Sequence, residues 1–96
     1  SLTALHLACQ ALQRDEIDQA FVGGVNLLLS PLHYVYLSKI GAVSPTGHCY
    51  SFDERADGYV PGEGVVGVLL KPLKQALQAG DPIQAVILGS AINHVG

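Results

Sequence analysis

Four histidines, two cysteines and a run of carboxylates are the side chains here that could move a proton, attack a carbonyl or hold a metal. His6, His33, His48 and His94 are scattered along the chain. No pair of them has metal-ligand spacing with a third partner, so no metal site is expected. Cys9 and Cys49 lack the CxxC spacing of zinc sites and thioredoxin-like motifs. Cys9 lies among Leu and Ala and reads as a small buried hydrophobe. Cys49 lies in a polar turn and reads as a free thiol. Asp53, Asp57 and Glu63 could be paired carboxylates for acid–base catalysis. The preferred reading is structural: in a glycine-rich loop such groups accept backbone N–H bonds and fix the turn. Gly62-x-Gly64 lacks the third glycine and the preceding strand of a dinucleotide motif, and no GK[ST] follows, so nucleotide binding is not expected.

Composition says what kind of body must carry these groups. The chain has 96 residues, 49% hydrophobic and only 14% charged, against about 25% charged in an average globular domain. Small independent domains have much surface and normally need more charge. A sparsely charged, apolar short chain reads as the interior of something larger. The absence of Met and of a basic leader at the start fits a piece of a longer protein. The net charge of −3, with no basic run, argues against a nucleic-acid partner. The apolar runs Ala20–Val25 and Val65–Leu70 fall far short of the ~20 residues of a membrane span.

The elements follow from periodicity. Leu2, Leu5, Cys9 and Leu12 recur at helical steps, predicting a helix from Leu2 to about Arg14. Ala4, Ala8 and Ala11 make it apolar almost all round, which predicts burial. Ile17–Leu29 is nearly continuously apolar and predicts a strand covered on both faces, with Gly23-Gly24 marking a close approach or bend. Ser30-Pro31 opens a second helix as N-cap and first residue, running to about Ile40 with Gly41 at its end. Ser44-Pro45-Thr46-Gly47 is a turn, and His48–Gly64 a long polar loop. Val65–Lys71 predicts a second strand, Leu73–Ala79 a short helix closed by Gly80, and Ile83–Ile92 a third strand broken at Gly89. That order is an α/β layout. It holds too little helix to cover both sides of its strands.

Six ordered motifs resemble the ketosynthase domains of polyketide synthases. Ser1–Leu12, SLTALHLACQAL, is similar to the helix after the family's T-A-C-S-S-S-L nucleophile motif, with Ser1 and Leu2 on its last two letters. VGGVNLLLSP from Val22 resembles A-G-G-V-N-x-x-L-S-P, and GAVSPTGHC from Gly41 resembles G-M-L-S-P-D-G-R-C. Phe52-Asp53 with ADGYVPGEG from Ala56 resembles F-D-x-x-A-D-G-Y-V-R-G-E-G. Leu70-Lys71-Pro72-Leu73 resembles V-L-K-R-L, and GSAINHVG from Gly89 resembles G-S-A-V-N-x-D-G. The resemblance runs the length of the chain without gaps. Pro61 stands where many relatives have Arg, and Val95 where they have Asp. Both departures resemble the subgroup whose acyltransferase acts in trans.

The resemblance implies a thiolase-like fold, layered αβαβα, of which residues 1–96 form part of one larger domain. They would supply the later part of its N-terminal half and the first strand of its C-terminal half. It implies decarboxylative Claisen condensation of an acyl thioester with a malonyl-type extender, both carried on the phosphopantetheine of an acyl carrier protein. No cofactor binds directly. The parent domain would be a cytoplasmic homodimer. No catalytic residue is expected within the chain: the nucleophilic Cys would lie three residues before Ser1 and the two catalytic histidines after Gly96, and none of the four histidines here matches them. The helix from Leu2 would lend its N-terminal dipole to the thiolate. His6, on that apolar helix, reads as a satisfied core histidine. His33 and Leu37, four apart and so on one helix face, would be substrate-binding residues lining the acyl channel, or else simple core packing.

Two other readings compete: a non-elongating ketosynthase or chain-length-factor-like subunit that shapes or passes the chain, and a stand-alone interaction module. The first turns on residues outside this chain. The second requires a soluble, folded monomer of these 96 residues, against which the composition argues.

Overall fold

The computed structural model describes residues 1–94. The element order is α1 (Leu2–Gln13), β1 (Ala20–Asn26), α2 (Leu32–Lys39), β2 (Gly64–Leu70) and α3 (Leu73–Ala79). The chain divides into two compact units. One comprises Ser1–Gly24 and the residues from Val65 on; the other comprises Val25–Gly64.

In the first unit, α1 ends where the helical periodicity does. Arg14 closes it and donates its N–H to Gln10 O, and Asp15 follows at φ +55. β1 and β2 are hydrogen-bonded neighbours in a two-stranded sheet. Gly67 lies under the Phe21 ring, so a Cβ there would make that exposed ring shift. α3 ends on Gly80 in the left-handed conformation, φ +70, as a C-terminal glycine should. Lys71 Nζ then pairs with Asp81 Oδ2 at 2.6 Å, fixing the exit from the helix.

In the second unit, the Ser30 hydroxyl accepts the Leu32 N–H at 3.2 Å, but the cap of α2 is Pro31, whose carbonyl accepts the Val35 N–H at 3.0 Å, one residue later than the Ser30 cap expected from sequence. Pro31 has helical angles, φ −65 and ψ −14. Gly41, at φ +70, donates to Ser38 O and ends the helix. Ala42 N–H returns to Leu37 O, and an isolated parallel bridge joins Val43 to Tyr59. Leu37 is the buried side chain of α2.

Three expectations need correction. The strand predicted over Ile17–Leu29 is confined to Ala20–Asn26. Its last residues leave the ladder because the Leu28 N–H donates to the Glu63 carboxylate instead. Ile83–Ile92 forms no strand: among the described residues the one sheet pairs only β1 with β2, and the segment finds no ladder partner. The burial predicted for α1 and for both faces of β1 is also not met, since no residue of either is buried, Leu2 being 77% and Phe21 76% exposed. Among the described residues the apolar side chains of α1 are covered only in part, Leu5, Cys9 and Leu12 being half-buried. The departure noted at Val95 lies outside the described residues.

The buried aliphatic side chains are Leu37 and Ala76, too few to offset about 1–2 kcal/mol of backbone entropy per ordered residue. Residues 1–96 expressed alone are expected to show no cooperative thermal transition by near-UV circular dichroism. A sharp two-state melt of the isolated chain would contradict this and favour a self-sufficient module.

Candidate functional site

The polar residues between α2 and β2 form one connected structure. Ser44 is buried, and its backbone N–H donates to Tyr59 O at 3.0 Å, while Tyr59 N–H donates to Ala42 O at 2.9 Å. The Thr46 hydroxyl donates to Asp57 Oδ2 at 2.9 Å. That uses its single proton, so in its 3.0 Å contact with Ser44 Oγ it accepts and Ser44 donates. Ser44 Oγ in turn accepts the His48 N–H at 3.4 Å. A directional relay thus runs from the His48 amide through Ser44 and Thr46 to Asp57. The Ser44 hydroxyl first, and then Thr46 and the nearby His48, hold the Asp57 carboxyl below its ordinary range, against opposing desolvation. Asp57 Oδ1 is buried without a partner. Gly58 makes the arrangement possible: at φ +136, a Cβ would meet Ser44 N at 2.6 Å and Val43 C at 2.7 Å.

The tip of the loop is held separately. Asp53 Oδ1 accepts both the Arg55 backbone N–H at 2.9 Å and Arg55 Nε at 3.0 Å, and Oδ2 accepts Nη2 at 2.9 Å. This fork–fork pairing holds the Asp53 carboxyl low and raises the guanidinium. The guanidinium also lies 4.5 Å from the Tyr50 ring centroid, a cation–π contact, and His48 and Tyr50 rings are 5.7 Å apart. Phe52 sits at φ +60 and is fully exposed. At the end of the loop the Asn26 amide donates to Gly62 O, and the Tyr34 hydroxyl donates to Pro61 O at 3.4 Å.

The carboxylate reading is therefore structural in all three cases. Asp53 and Glu63 accept backbone N–H groups, as expected, and Asp57 accepts a hydroxyl. The Ser44–Thr46 relay and the Tyr50–Arg55 stack were not read from sequence. Ser-Pro-Thr-Gly carries a turn signal that could have suggested the first. The second, five residues apart in an irregular loop, leaves none. His33 is exposed in the first turn of α2, whereas Leu37 is only 8% exposed. Burial sets the two apart. Cys9 is half-buried, and Cys49 Sγ lies 3.8 Å from Ser51 Oγ. Among the described residues no three His, Cys, Asp or Glu side chains gather to hold a metal, and no helix is long and apolar enough to cross a membrane.

In the other unit His6 Nδ1 is hydrogen-bonded to Ser90 Oγ at 2.8 Å. The expectation of a satisfied histidine holds there, although His6 is only half-buried. Gly24 lies against the start of α1: a Cβ on it would come within 2.7 Å of Ser1 Cβ.

This is an α/β piece of a thiolase-like fold. The chain belongs to the beta-ketoacyl synthase family, whose N-terminal domain matches residues 1–76. Over all 96 residues it is 55% identical to the polyketide synthase PksL of Bacillus subtilis and 55% identical to the highly reducing polyketide synthase alnA of Emericella nidulans. It spans 2% and 4% of their lengths. Among solved structures it resembles the ketosynthase from module 6 of the bacillaene synthase of Bacillus subtilis, with a TM-score of 0.80 and 49% identity. That likeness covers 86% of this chain and 15% of that one. The oxazolomycin ketosynthase domain OzmH KS7 of Streptomyces albus gives a TM-score of 0.76 at 50% identity, over 85% of this chain and 15% of its own.

A carboxyl held low in the folded state stabilises it fully above the unfolded pKa, about 3.9, and that contribution is lost as pH falls through the lower folded value. Asp57→Asn is expected to flatten the acid limb of stability against pH in the intact parent domain, and Gly58→Ala to lower stability by roughly 1–3 kcal/mol. Urea midpoints from pH 2.5 to 7 check both; an unchanged acid limb in Asp57→Asn would remove the relay as its cause.

Proposed function

We propose that residues 1–96 are part of one ketosynthase domain of a polyketide synthase of the trans-acyltransferase type. The domain catalyses decarboxylative Claisen condensation. A cysteine thiolate three residues before Ser1 takes the acyl chain from the phosphopantetheine of an acyl carrier protein. A malonyl-type extender on a second carrier then loses carbon dioxide. Its α-carbon forms the new bond to the acyl carbonyl, and the cysteine thioester breaks. Two histidines beyond Gly96 assist the decarboxylation. The observation that carries this reading is 55% identity to polyketide synthases without interruption over the whole chain, together with a TM-score of 0.80 to a bacillaene ketosynthase.

The chain's own contributions in this reading are positional. The aligned peptide dipoles at the start of α1 favour the thiolate. The α2 face bearing His33 and Leu37 lines the acyl path, with Leu37 holding the helix in its unit and the exposed His33 meeting the chain. The parent acts as a homodimer in the cytoplasm, where a free nucleophilic thiol persists.

Intact-mass measurement of the parent domain after incubation with an acyl-loaded carrier protein tests the reaction. A covalent acyl adduct that is discharged on adding malonyl-loaded carrier, with release of carbon dioxide, is the expected result. An adduct that forms but never elongates would point to a chain-passing relative, and no adduct at all would end the condensing assignment. In the same assay His33→Ala is expected to change the ratio of kcat/KM between short and long acyl chains severalfold. Leu37→Ala is expected to cost about 2–4 kcal/mol of stability, read from the denaturant midpoint.

A further inference from the structure

Two contacts made by α1 are unexplained by burial, since none of its residues is buried. At its start, Ser1 abuts Gly24 of β1 so closely that a Cβ there would displace it. One turn on, His6 Nδ1 reaches Ser90 Oγ across 84 residues of sequence at 2.8 Å. Ser90 lies in a segment with no ladder bond among the described residues. A side-chain hydrogen bond thus links that segment to the helix. A net hydrogen bond adds little stability, but one that joins two otherwise slidable elements fixes their register. Reacting groups are sensitive to register: a displacement of about 1 Å can cost on the order of a hundredfold in rate.

We propose that His6 is a positioning residue for the condensation. Through Ser90 it sets α1, and so the nucleophile at the head of that helix, in register with the segment that leads toward the catalytic histidines. This rests on the condensing reading above. His6 touches neither substrate nor the reacting atoms. Its role is to hold the helix whose first turn, seated on Gly24, presents the thiolate.

The test uses the intact parent domain with His6→Ala, Ser90→Ala, the double variant and the conservative His6→Asn, whose amide can occupy the place of Nδ1. Each is read for kcat and KM of condensation, for the pH profile of cysteine alkylation by iodoacetamide, and for thermal midpoint. We expect kcat to fall about tenfold in both single variants with KM unchanged, and the double variant to be no worse than either, because one bond is lost in all three. The alkylation profile shifts to higher pH, and His6→Asn recovers most of the rate. Single variants that keep the wild-type kcat and alkylation profile overturn the proposal, as do losses that simply multiply in the double variant. Should His6→Ala fail to fold, Ser90→Ala, which removes one exposed hydroxyl, decides alone. A wild-type domain with no alkylatable cysteine and no condensation sinks the condensing reading itself, a result distinct from an active wild type with indifferent variants.

Discussion

Burial of apolar surface is the main force favouring a folded state, worth about 25 cal/mol for each Å² taken out of water. In this chain it is concentrated on very few side chains. Leu37 and Ala76 are buried, while Leu29, Leu88 and Phe21 stand largely exposed, at 85%, 96% and 76%. A helix as apolar as α1 buries nothing completely. The local geometry therefore depends on polar contacts and backbone constraints rather than on a packed core. This is the physical signature of a region whose faces belong against other parts of a larger domain, and it agrees with the 15% share of the solved ketosynthase chains that it spans.

Within Val25–Gly64 those polar contacts are dense. The Val43–Tyr59 bridge brings two distant stretches of loop side by side. Ser44 then has to be small and hydroxylated, because it is buried and serves both as acceptor for His48 and as donor to Thr46. Gly58 has to lack a side chain, because the backbone of residues 42–44 fills the space. Three carboxylates of this loop help to hold it. Asp53 is tied up by Arg55, Glu63 by the Leu28 amide and Asp57 by Thr46.

Local signals carried far along this chain. α3 was legible to the residue, since Pro72 and Gly80 bracket a short helical pattern. Ser30-Pro31 and Gly41 marked the two ends of α2 to within a residue. Strand limits were less legible, because a ladder ends where its partner ends, and Leu27–Leu29 look no different from Ala20–Asn26 in a list of apolar residues. The third strand failed for the same reason: Ile83–Ile92 has strand composition, but strand structure is a property of a pair. In the loop, the structural use of Asp53, Asp57 and Glu63 was legible from the glycines around them. The identity of each partner was not.

The sequence by itself determined the order of the elements from α1 to α3, the glycines that end α2 and α3 and, through six ordered motifs, membership in the ketosynthase family, since all of these depend on residue type at short separations. Tertiary structure alone decided that Thr46 rather than a backbone amide meets Asp57, that Arg55 stacks on Tyr50, and that His6 finds Ser90. Such pairings are set by how the backbone folds back on itself. No local pattern encodes a contact across 84 residues.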